Sequence, residues 1–212
     1  MRDFDADVLV LGIGNVLWAD EGFGVRAMEA FQERFETPAG VMLVEGGTQG
    51  LYLLEYVCGA RRAIVFDAID FGLPPATLRV FRDAEVPVWA DTKMSLHQAS
   101  FQELLSVAKL RGRFPESITL IGVQPAVLED FGGSLSPGVR ARLDEAVGIA
   151  LAQLLAWGFP PTPRRTPLAP EQRLTARALA LDAYESGRPS EDAACRIGDA
   201  RFMNQRQDTE DA

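Results

Sequence analysis

Short runs of uninterrupted apolar residues alternate with stretches in which apolar residues recur every three or four positions. Val8–Leu11, Val41–Val44, Ala63–Phe66 and Ile118–Val123 are Val/Ile-rich runs of the kind buried on both faces of a parallel sheet. Between the first two, Val25, Met28, Phe31 and Phe35 follow helical spacing, as do Phe101, Leu104, Leu105 and Ala108 later on. This βαβ rhythm predicts an α/β fold: a three-layer αβα sandwich with a mostly parallel, twisted sheet of about five strands and helices on both faces. Thr77–Arg82, after Pro74-Pro75, reads as a shorter edge strand whose direction the pattern leaves open. A final helix is expected from Pro137 to Trp157, with Gly158 and Pro160 as stop signals.

After that helix the pattern changes. Pro160–Pro170 is too rich in proline for regular hydrogen bonding and reads as an extended linker; Glu171–Tyr184 has helical composition, and the stretch from Ser186 to Ala212 is polar and poor in core residues. The expected organisation is an α/β domain over 1–158 and a C-terminal appendage over 159–212, partly helical or disordered.

Charge and cysteine content narrow the function. Apolar residues make up 47% and charged residues 24%, as in an ordinary globular chain, and the net charge is −9 with no basic block to follow a phosphate backbone, so nucleic acid is not an expected partner. Cys58 and Cys195 lie far apart and suggest neither a disulfide framework nor a thiolate metal site. The acidic N-terminus and the absence of a membrane-length apolar run point to a cytoplasmic chain without membrane insertion.

The candidate chemistry gathers where strands end. Gly12-Ile-Gly14 opens like a dinucleotide-binding turn, but the third glycine of that fingerprint falls at Leu17, and Asp20 and Glu21 stand where phosphate would sit. Glu45 holds the place of a ribose-binding acid, and Gly46-Gly47-Thr48 follows as a flexible loop. Asp67 ends the third buried strand and points either into the crevice at the sheet's carboxyl edge or into a turn that it caps. In the common strand order 2-1-3-4-5, strands one and three flank the topological switch point, so Glu21 and Asp67 face one crevice. His97, the only histidine, would complete two carboxylates and an imidazole, a ligand set suited to nickel, zinc or another divalent ion; the alternative is a structural histidine. Ser95 lacks a G-x-S-x-G elbow, and Cys58 reads as a small core residue. Asp20 and Asp70 are read as structural acids.

Gly12-Ile-Gly-Asn-x-Leu-x-x-Asp-Glu-Gly-x-Gly24, Glu45-Gly-Gly-Thr48, Phe66-Asp-Ala-Ile-Asp70 and Met94-Ser-Leu-His-Gln98 together resemble the hydrogenase maturation endopeptidases, over residues 7–158 and nearest the branch serving uptake nickel–iron hydrogenases. The resemblance implies a protease that removes a C-terminal peptide from the hydrogenase large-subunit precursor after nickel insertion. It also implies that Glu21, Asp67 and His97 engage nickel presented by the substrate rather than permanently bound, a position that other divalent metals can fill. Two other functions fit some of these residues: a non-catalytic nickel-sensing or nickel-handling protein using the same ligands, and a nucleotide-binding oxidoreductase, against which Leu17, Asp20 and Glu21 already argue.

Overall fold

A computed structural model describes residues 5–86, 96–128 and 130–188, without the side chains of 96–100 and 102. Strands β1 (Ala6–Ile13), β3 (Val41–Gly47), β4 (Ala60–Ala68), β5 (Leu78–Arg82) and β6 (Ser117–Val123) form one five-stranded sheet in the order β3-β1-β4-β6-β5. All neighbours are parallel except β5, which pairs antiparallel to β6 at the edge. The order among these five is therefore 2-1-3-5-4 rather than 2-1-3-4-5. The segment between β4 and β5 holds no helix, so β5 starts at the sheet's carboxyl edge and runs back antiparallel to the other strands. The inference that mattered survives this correction: β1 is interior and β4 is its neighbour.

The two faces carry separate cores. On one side α2 (Leu54–Gly59) and α3 (Leu96–Leu110) bring Leu54, Val57, Phe101 and Leu104 against Leu9, Leu11 and Val65. On the other, α1 (Phe23–Arg34) and α5 (Leu143–Ala156) bring Phe23, Met28, Phe31 and Ala146 against Val10, Ile64 and Phe66. Val8–Leu11 and Ala63–Phe66 are wholly buried, as unbroken apolar runs require when both faces are covered. Phe66 alone accounts for about 3–5 kcal/mol on truncation to alanine. Cys58 is a buried free thiol in the first of these cores; Cys195 lies outside the described residues.

The expected helix from Pro137 to Trp157 is two helices, α4 (Pro137–Arg140) and α5, because the Arg142 N–H turns back to the Val139 carbonyl, one residue short of helical pairing. The periodic apolar positions run through the break and conceal it. No helix spans Glu171–Tyr184 either. The chain forms a single turn at Pro170–Gln172 and then α6 (Leu181–Gly187), and besides its own short turns its backbone is tied to side chains of α1. The Gln32 amide donates to the Gln172 carbonyl at 2.8 Å and accepts from the Leu174 N–H at 3.1 Å. Earlier in this segment β7 (Thr162–Pro163) pairs with β2 (Phe35–Glu36), and Arg164 donates to the carbonyls of Gln32 and Phe35. The proline-rich stretch thus lies against the domain.

Candidate active site

The sequence Gly12–Gly24 folds the chain back so that the start of α1 rests on the carboxyl ends of β1 and β4. A Cβ on Gly24 would stand 2.1 Å from the Ile13 carbonyl oxygen and 2.2 Å from that of Phe66, and one on Gly12 would stand 2.4 Å from the Gly24 oxygen. Gly14 adopts φ +133°, beyond the reach of ordinary side chains, and hands its N–H to the Gly47 carbonyl at 2.9 Å. A single 3-10 turn, Ala19–Gly22, then carries Asp20 and Glu21 into α1.

These adjacent acids have opposite fates. Asp20 is fully buried and accepts from the N–H groups of Ala126 at 2.8 Å, Val127 at 2.9 Å and Ser136 at 2.7 Å, and from the Ser136 hydroxyl at 2.9 Å. It therefore fastens the 126–136 loop to the turn, which settles its structural role. Asp70 is structural in the same sense, accepting from the Gly72 N–H and the Gln124 amide, each at 3.0 Å. Glu21 is partly exposed, and its charge reaches Asp67 at the end of β4.

Asp67 is buried, yet among the described residues its Oδ2 has no hydrogen-bond partner. Burial pushes its carboxyl well above the usual carboxylate range; the Ala68 N–H works against that shift, and the Glu21 charge adds to it. Leaving a buried carboxylate oxygen without a donor costs on the order of 1–3 kcal/mol or more, so the arrangement is suited to a cation brought from outside. Glu45, near the end of β3, lies opposite Gly12 and is half-buried; desolvation raises its carboxyl and the Gly47 N–H partly offsets this.

Glu21 and Asp67 thus stand near enough for the charge of one to act on the other. His97 is the second residue of α3, and its side chain lies outside the described residues, as do Met94 and Ser95. One turn further along, Phe101 lines a small cavity with Ile13, Gly47 and Thr48, which puts the first turns of α3 at the same sheet edge. Among the described residues no cluster of three metal-ligating side chains occurs.

Arg26 was not singled out from the sequence. It lies buried on α1, donating to Glu29 at 2.8 Å and to the Leu179 carbonyl at 2.6 Å, with the Tyr184 ring 5.5 Å from its guanidinium carbon. Glu29 is its i,i+3 neighbour on the helix, an ordinary surface spacing, while the Leu179 carbonyl that holds it lies 153 residues away, so the sequence does not mark it as buried.

The family model described as hydrogenase maturation protease matches residues 25–153. The chain belongs to the hydrogenase maturation protease family. It is 54% identical over 199 residues to the hydrogenase expression/formation protein HoxM of Cupriavidus necator, covering 93% of this chain and 98% of that one. It is 55% identical over 197 residues to HupD of Rhodobacter capsulatus, covering 92% of each. The solved structure of the hydrogenase maturating endopeptidase HybD from Escherichia coli superposes with a TM-score of 0.71 at 39% identity, covering 74% of this chain and 97% of that one. As a member of this family the protein is a hydrolase, an endopeptidase, and not an oxidoreductase. Residues beyond 153, including the segment docked on α1, lie outside the family model.

Proposed function

We propose that this endopeptidase removes the C-terminal peptide of the nickel–iron hydrogenase large-subunit precursor after nickel insertion, and that Glu21, Asp67 and His97 engage the nickel carried by that substrate. The observation that carries this reading is the buried Asp67 Oδ2 without a donor, within reach of the Glu21 charge.

In hydrolysis, water adds to the scissile carbonyl carbon, the C–N bond breaks, and the departing amine takes up a proton. A nickel ion held between substrate and protease supplies a Lewis acid for the carbonyl or the attacking water. Glu21 and Asp67 orient it from the β1 and β4 ends, and His97 from the start of α3.

The setting is cytoplasmic, without nucleic acid or membrane insertion; among the described residues no helix is long and apolar enough to cross a membrane. Mass spectrometry of purified protein mixed with nickel-loaded precursor should show shortening at the C-terminus, and nickel-free precursor should stay intact. Equal cleavage of both would defeat nickel recognition. Nickel binding without any shortening would instead favour a nickel-handling role.

A further inference from the structure

Beside the acids the carboxyl edge carries an apolar strip. Leu17, Trp18, Val127 and Phe131 are 38%, 37%, 41% and 47% exposed. They form one surface built from two loops. The Trp18 and Phe131 rings meet edge to face with centroids 5.4 Å apart, the two residues form an antiparallel bridge, and the Gly132 N–H donates to the Leu17 carbonyl at 2.7 Å.

The loop bearing Val127 and Phe131 is fixed from both sides. Asp20 holds it from within through Ala126, Val127 and Ser136. From outside, Glu185 accepts from the Ser134 hydroxyl at 2.7 Å and from Arg140 at 2.6 Å, while the Tyr184 hydroxyl donates to the Gly133 carbonyl at 3.3 Å. A loop this restrained holds the backbone of Val127 and Phe131 at the surface, so their exposure follows from the fold.

The strip also begins at the site, since the Glu21 N–H donates to the Trp18 carbonyl at 2.9 Å. A body that brings a metal to Glu21 therefore arrives beside it. A second copy of this chain seated there would cover Glu21 and close the site. The occupant compatible with a working site is the body that delivers the metal.

We propose that Leu17, Trp18, Val127 and Phe131 dock an apolar patch on the folded body of the precursor, distinct from the peptide that is cut. This rests on the function proposed above. Because the four side chains are uncharged, the contact is hydrophobic and rigid aromatic anchors dominate it.

The test is steady-state processing of nickel-loaded precursor by Phe131→Ser, Val127→Ser and Phe131→Tyr, with melting midpoints measured alongside. Phe131→Ser should raise KM about tenfold while kcat stays within about twofold, and Phe131→Tyr should restore KM. Val127→Ser should show a smaller rise in the same direction, and it decides the matter if Phe131→Ser melts early. Unchanged KM in both serine variants overturns the docking surface, and so does sedimentation showing a wild-type dimer that Phe131→Ser dissociates. If the wild type leaves nickel-loaded precursor intact, the underlying function fails instead.

Discussion

Asp20 and Asp67 are both buried carboxylates at the same sheet edge, and they are treated in opposite ways. Asp20 has four donors on its two oxygens; Asp67 has an oxygen with none. A buried charge surrounded by donors holds structure together, and its removal strands the donors. A buried carboxylate left short of donors costs stability, and is kept where something else completes it. The contrast separates the acid that builds the site from the acid that acts in it.

The largest test of this contrast is catalytic. Asp67→Asn should lower processing of nickel-loaded precursor by about a thousandfold or more, the several kcal/mol expected when a metal contact is lost. Near-normal turnover would remove Asp67 from the site. The structural counterpart is Asp20→Ala, which should cost about 3–5 kcal/mol in urea unfolding by stranding the 126–136 loop donors. A loss under about 1 kcal/mol, the value of an exposed pair, would show that the clasp opens readily.

The next effect is a pH dependence whose sign follows from burial. The carboxyl of Asp67 is raised in the folded state, so the folded protein favours its protonated form. That contribution is complete below the ordinary carboxylate value and is lost as pH climbs through the raised one. Asp67→Asn cannot ionise, so its melting midpoint should match the wild type in acid and exceed it increasingly toward neutral pH. A difference that shrinks with rising pH would contradict the burial argument. The smallest effect concerns the pair: Glu21→Gln should move the Asp67 titration downward, measured by carbon NMR of labelled carboxyls, since the Glu21 charge helps raise it. No movement would separate the two acids.

Much of this was legible in the sequence where burial is two-sided. Runs such as Ala63–Phe66 can only be interior strands, and an acid at the end of one falls at the carboxyl edge. The direction of β5 was not legible, because five alternating residues on an edge fit either sense. Asp20 reads as structural and Glu21 as the site acid in the sequence, but what Asp20 holds was not legible, since its partners lie more than a hundred residues away. The docked C-terminal segment was hidden for a related reason: proline-rich backbone looks the same whether it meets water or the polar side of a helix. Arg26 and Gln32 hold it through side-chain bonds that leave no periodic trace.

Gly24 has a consequence beyond packing. The missing side chain lets α1 touch the Phe66 carbonyl, the atom just ahead of Asp67, so backbone contact fixes how far Glu21 stands from its partner. The residue works as a gauge for the bite of the two acids. A single methyl added there would meet two backbone carbonyls, so the helix and strand ends would have to part and the gap between the acids would widen with them.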